Sequence, residues 1–163
     1  MNIFKVLASG SGPFREEQAS TIIAWLLNPR MEHGLGYAFL SRFVKAISVN
    51  NEAFSEISNS LSPRLRSNDQ SEVEWACFLE YNVQSSFIDI VLRMDDWVLA
   101  VENKIYSGSA SDPKQLQREY AGIKKHPDCK DKKIGMVFLV PADLDPRVEL
   151  EYFNLTVKND DLK

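Results

Sequence analysis

Apolar positions change their period partway along the chain, from helix-like to strand-like. From Glu16 onward, Ala19, Ile23, Leu26 and Leu27 fall on one face at helical spacing, and Asn28-Pro29 closes that element. The turn HGLG at 33–36 leads into a second amphipathic helix over 36–48, with Phe39, Leu40, Phe43, Val44 and Ile47 as its stripe. Residues 1–15 read as a loosely held lead-in broken by SGSGP at 9–13. Residues 49–71, rich in Asn, Ser and Glu and carrying Pro63, read as a helix-poor excursion with room for one short helix around 52–60. The pattern then turns to β-branched and aromatic runs, which predict strands over Glu72–Val83, Phe87–Met94 and Trp97–Ile105. SGSASD at 107–112 is a polar loop ending on a helix cap, Asp112, with Pro113 at the first helical position of a helix over 113–126. The apolar run Ile134–Pro141 predicts a further strand, and Leu150–Val157 is a last candidate. The order of helices and strands predicts a single α/β domain spanning 1–163 around a mixed sheet.

Composition narrows the class. With 163 residues and 44% hydrophobic content, the chain suits one domain with a real core, which excludes a disordered segment. Two cysteines, Cys77 and Cys129, are too few for a disulfide framework and read as reduced residues, Cys77 within the core. No run approaches the roughly 20 apolar residues of a membrane span, and the first ten residues carry no convincing cleavage site. A cytoplasmic protein without a membrane partner is the expectation. Zinc-ligand spacing, a phosphate-cradling glycine motif and a nucleophile elbow are all missing, which argues against zinc fingers, P-loop enzymes and serine hydrolases.

The net charge of −4, from 19 Lys+Arg against 23 Asp+Glu, argues at first against a polyanionic partner. Its distribution argues the other way. Residues 113–133 hold seven basic side chains (Lys114, Arg118, Lys124, Lys125, Lys130, Lys132 and Lys133) against Glu119, Asp128 and Asp131, and this surplus suits a phosphate track. A solvated helix face explains any one of these lysines equally well. His33 reads as a loop-ordering residue and His126 as a surface residue.

The segment FIDIVLRMDDWVLAVENK yields a register. If Asp95-Asp96 is a two-residue hairpin loop, Met94 pairs with Trp97 and Asp89 lies opposite Glu102. Alternation then sets Asp89, Glu102 and Lys104 on one side, with Ile88, Ile90, Leu92, Met94, Trp97, Leu99 and Val101 forming continuous core on the other. Two carboxylates about 5 Å apart at Cβ repel each other in an apolar setting unless a cation sits between them. A hard divalent ion such as magnesium fits, and Lys104 could orient a water or stabilise developing charge. An ion pair of Lys104 with Glu102 or Asp89 on a solvated sheet end is the alternative.

Asp89, followed on the next strand by Glu102-Asn103-Lys104, resembles the PD-(D/E)XK nuclease superfamily, with Ile88 in place of the motif's proline. EEQASTIIAWLLNPRMEHGLG at 16–36 is similar to the leading helix of a prokaryotic group in that superfamily, and the likeness spans about 16–48 and 86–141. It implies a restriction-endonuclease-like αβββαβ core, a mixed central sheet flanked by helices. It also implies an endonuclease that hydrolyses phosphodiester bonds, of DNA rather than RNA, with Mg2+ or substituting Mn2+. Prokaryotic defence, repair or a mobile element is the implied setting and a homodimer the implied assembly. Asp89, Glu102 and Glu16 would hold the metal, Lys104 would place the water, and Gln115 would join from the following helix. Glu16 is preferred to Glu17 because it lies in phase with Ala19, Ile23 and Leu27, although a capping role suits either glutamate. Tyr120 lies five residues after Gln115 where the family usually spaces four, and Asn103, on the opposite face from Glu102, reads as structural. A nucleic-acid-binding or protein-interaction module on the same fold, with cleavage lost or partner-dependent, is the competing expectation.

Overall fold

The computed structural model describes residues 15–49, 54–59, 75–84, 86–104, 112 and 114–140. The first helix, α1 (Glu16–Leu27), opens with Glu16 and Glu17 at the positive end of the helix dipole, and the Gln18 side chain receives the Arg15 N–H at 2.9 Å. Its buried face is Ala19, Ser20, Ala24 and Leu27. The second helix, α2 (Ala38–Ser48), buries Leu40 and Val44. The expected short helix in the excursion is present over 54–59. Strands β1 (Trp75–Asn82), β2 (Phe87–Met94) and β3 (Trp97–Asn103) follow, then α3 (Gln115–Lys125), a 3-10 turn (Pro127–Cys129) and β4 (Lys133–Leu139).

The four strands form one mixed sheet in the order β1-β2-β3-β4, antiparallel except for the parallel β3–β4 pair, which the α3 crossover connects. Helices cover both faces. Under α1 and α2, Ala24, Leu27, Leu40 and Val44 pack with Ile90, Leu92, Met94, Leu99 and Val101. On the other face, Ile123 of α3 packs with Val83, Val91, Val98 and Ala100. This is the α/β architecture expected for a restriction-endonuclease-like fold, a mixed sheet flanked by helices.

The hairpin register is the expected one, running from Met94↔Trp97 to Ile90↔Val101. Asp95 at φ 37° supplies the left-handed turn residue such a tight loop requires. Strict alternation fails one residue later. Ile88 packs with Val83 and Val91 on the α3 face, not with Ile90 on the α1 face as expected. Neighbouring β1 changes hand at the same level: Cys77 packs against the α1 core and Tyr81 against the other, with Glu80 between them at φ 47°. A left-handed residue in an edge strand adds local rotation to the sheet, and the parity of both strands shifts there.

Several boundaries differ from expectation by one or two residues, those of α2, β1 and β4 among them. Helix α3 begins at Gln115 rather than 113, and β3 ends at Asn103 rather than 105. Asp112 still closes the first turn of α3. Its Oδ1 accepts the Lys114 N–H at 3.0 Å, its carbonyl accepts the Gln115 N–H at 2.8 Å, and Arg118 ion-pairs with its Oδ2. His126 is half-buried and bonded to the Tyr81 hydroxyl at 2.9 Å, so it ties the end of α3 to β1 rather than standing at the surface. His33 orders its loop as expected, accepting the Leu35 N–H and donating to the Asn28 carbonyl. The lead-in over 1–14, Pro113, Pro141, the 107–111 loop and the Leu150–Val157 strand lie outside the described residues. Among the described residues no helix is long and apolar enough to cross a membrane.

Candidate functional site

β3 runs out into Glu102, Asn103 and Lys104, and β4 holds that end in place. Glu102 pairs with Phe138 and Asn103 with Leu139, and the Lys104 N–H donates to the Leu139 carbonyl at 2.8 Å. On the other side β2 has stopped pairing. The β2–β3 ladder ends at Ile90↔Val101, and in place of a further rung the Asp89 carboxylate accepts the Asn103 N–H at 2.7 Å through Oδ2. The Asn103 side chain donates to Ser20 Oγ at 3.3 Å, so α1 is tied to the same turn of chain. Asn103 is therefore a structural clasp, as its position in the triplet suggested.

Glu102 is the centre of the cluster. It is 2% exposed, and its Oε1 receives both Lys104 Nζ at 2.9 Å and Gln115 Nε2 at 2.6 Å. Its Oε2 is buried with no hydrogen-bond partner. Lys104 Nζ also lies 3.7 Å from Glu16 Oε2. The fold thus draws Asp89, Glu102, Lys104, Glu16 and Gln115 together from α1, β2, β3 and α3. Glu17 is exposed and instead lines a shallow hollow of about 240 Å³ with Ser20, Thr21, Leu79, Glu80 and Asp89.

Electrostatics mark the cluster as short of positive charge. Burial, opposed by the Asn103 N–H and by Lys104, raises the Asp89 carboxyl, and the charges of Glu16 and Glu17 add to that. Burial and then the charge of Asp89 raise Glu102, against the pull of Lys104 and Gln115. Burial works to lower Lys104, but Glu102, Glu16 and Asp89 outweigh it and its ammonium is held above the usual lysine range. Two adjacent carboxylates that resist ionisation together, one of them with an orphaned buried oxygen, are a donor set that suits a hard divalent cation. Among the described residues no three His, Cys, Asp or Glu side chains are spaced to hold a metal by themselves. A cation here would therefore complete its shell with water, as magnesium commonly does.

One residue of this neighbourhood escaped the sequence reading. Glu119 is fully buried on α3, four residues after Gln115 and in the stripe of Leu116 and Ile123. A carboxylate at that phase of an apolar stripe is the signal that could have found it. Tyr120, the next residue, is half-buried, with the Lys124 ammonium 5.8 Å from its ring centre. The basic run is partly structural: Arg118 pairs with Asp112, Lys133 with Glu56 at 2.8 Å, and Lys132 donates to the Asp95 carbonyl.

No curated protein and no solved structure matches the chain. A family model for the PD-(D/E)XK nuclease superfamily matches residues 1–158, and that span contains Asp89, Glu102, Lys104 and the helices that close around them. With nearly all of its 163 residues inside the match, the chain belongs to the PD-(D/E)XK nuclease superfamily.

Proposed function

We propose that this protein is a divalent-metal-dependent endonuclease that hydrolyses phosphodiester bonds of DNA, with Mg2+ as its cation and Mn2+ able to replace it. The observation that carries this is Glu102: one carboxylate oxygen is fixed by Lys104 and Gln115, the other is buried without a hydrogen-bond partner, and the charge of Asp89 bears on the same group. Superfamily membership supplies the reaction class. DNA as substrate, internal cutting, pairing of two chains to cut two strands, a cytoplasmic location and a role in prokaryotic defence are parts of the same proposal, and they follow the resemblance.

When bound, a divalent cation polarises the scissile phosphate and offsets the charge that builds on its oxygens. The protein residues supply everything else. Asp89 and Glu102 would hold the cation. Glu16 would assist through the metal, through a water or through its ion pair with Lys104. The Lys104 ammonium, anchored by the Glu102 carboxylate, sits where it can orient the attacking water and stabilise the phosphorane-like transition state. A water oxygen joins phosphorus as the ester oxygen departs with a proton. The exposed lysines at the start of α3, along it and in the following loop, Lys114, Lys124, Lys125 and Lys130, offer a track for flanking phosphates.

The test is cleavage of DNA and RNA by the purified chain with Mg2+ or Mn2+. Cleavage that chelator, Asp89→Ala and Lys104→Ala each abolish supports the proposal. Salt-sensitive nucleic-acid binding with no metal-dependent turnover replaces it with a binding module.

A further inference from the structure

Glu119 has no part in that mechanism, yet it is the most deeply buried carboxylate described, at 0% exposure. Ser86 Oγ donates to its Oε1 at 3.3 Å, and Gln115 stands one helical turn earlier on α3, where its side chain works against burial to lower the Glu119 carboxyl. Its Oε2 has no hydrogen-bond partner. A buried carboxylate without full compensation is a poor structural element, since an apolar residue in the stripe of Leu116 and Ile123 would pack there without that cost. Its contacts lead back to the metal site. The Gln115 amide nitrogen lies 2.6 Å from Glu102 Oε1.

A glutamine amide presents either its nitrogen or its oxygen to a neighbour, and only the nitrogen is tolerated against the Glu102 carboxylate. One N–H of that nitrogen goes to Glu102, which leaves the second to turn toward Glu119 at the (i, i+4) position of the same helix. We propose that Glu119 is a positioning residue: by holding Gln115 it fixes the Glu102 carboxylate so that Oε2 stays open to the divalent cation. Burial, and next the charge of Glu102, push the Glu119 carboxyl up to about 8, so near neutral pH it serves as an acceptor without adding a further negative charge to the cluster. The group four residues after Gln115 therefore couples to the metal ligand from behind.

The proposal rests on the metal-site reading above, so its test measures metal binding rather than cleavage. Mn2+ affinity is read by calorimetry on the full chain for wild type, Glu119→Gln and Glu119→Leu, and for Gln115→Leu alone and combined with Glu119→Leu. Glu119→Leu is expected to weaken Mn2+ binding by roughly 10–100-fold, the range for groups that orient metal ligands. Glu119→Gln is expected to stay within about threefold of wild type, because its amide oxygen still accepts from Gln115. In the Gln115→Leu background Glu119→Leu should add nothing further. Glu119→Met replaces the leucine variant if thermal unfolding shows that variant misfolded. Unchanged affinity in the apolar variants, an equal loss in Glu119→Gln, or full additivity with Gln115→Leu overturns the proposal. Wild type that binds no Mn2+ overturns the metal-site reading itself, a distinct result.

Discussion

The Asp89 carboxylate accepts the Asn103 N–H at 2.7 Å, at the point where the β2–β3 ladder stops after Ile90↔Val101. A single side chain thus ends a sheet ladder and faces the proposed cation site. Asp89→Asn keeps an acceptor for Asn103 and removes the charge, whereas Asp89→Ala removes both. Both variants are expected to lose metal-dependent cleavage by more than about 100-fold, beyond the loss typical of groups that only orient ligands. Only the alanine variant should melt clearly lower, since a hydrogen bond to a charged group contributes about 1.5–3 kcal/mol. Cleavage assays and thermal unfolding check both halves, and an active Asp89→Asn contradicts the assignment.

Lys104 competes with any cation for the same carboxylate, since its Nζ lies 2.9 Å from Glu102 Oε1. Lys104→Met is therefore expected to cut the cleavage rate by roughly 100-fold or more, the scale of a positioned catalytic group, while Mn2+ binds as tightly as in wild type or tighter. Calorimetry alongside single-turnover kinetics separates the two. A parallel loss of affinity and rate would assign Lys104 to holding the site together instead.

Stability should fall as pH rises from about 5 to above 8. Glu119 is raised from 4.5 to about 8 in the native state, and burial raises Asp89 and Glu102 in the same direction. In that window the native state holds protons that the unfolded chain has released, so their contribution is full below about 4.5 and lost as pH passes the native values. Lys104, raised above the usual lysine range, does not titrate in this window. Thermal unfolding across the range in a chelating buffer is the measurement, and Glu119→Gln should flatten the slope. Saturating Mn2+ should lessen the decline, because it stabilises the ionised forms of Asp89 and Glu102. A melting temperature that climbs over this interval contradicts the assignment.

Gly122 sets how closely α3 approaches the sheet. A Cβ there would lie 2.7 Å from both Val83 Cβ and the Val83 carbonyl oxygen. Gly122→Ala is expected to destabilise by about 1–3 kcal/mol, as overpacking does, although alanine is the better helix former. Thermal unfolding that shows a gain instead would mean that α3 has room to shift.

Much of this site is legible along the chain, because a hairpin register needs only a turn and an alternation. The Asp95-Asp96 turn sets Met94 against Trp97, and the register it starts runs to Ile90↔Val101, one residue short of Asp89 and Glu102. Alternation could not tell that parity breaks at Asp89, since the rotation arises from Glu80 in a neighbouring strand with no sequence signature for φ 47°. Ile88 lies on the face opposite to the one alternation predicts for that reason. The preference for Glu16 over Glu17 came from helical phase, and the structure sets Glu16 beside Lys104 while Glu17 remains exposed. Glu119 stayed hidden because a glutamate in a charged stretch reads as solvated, and its burial depends on how α3 docks against Val83 and Ser86.

The central claim is that Asp89 and Glu102 share one divalent cation, and a crystal structure of the Mn2+-soaked protein with anomalous data tests it most directly. The account predicts a single anomalous peak bridging the Asp89 carboxylate and Glu102 Oε2, with Lys104 and Gln115 still on Oε1. A soaked crystal with no peak there, or with a peak that touches neither carboxylate, would contradict it.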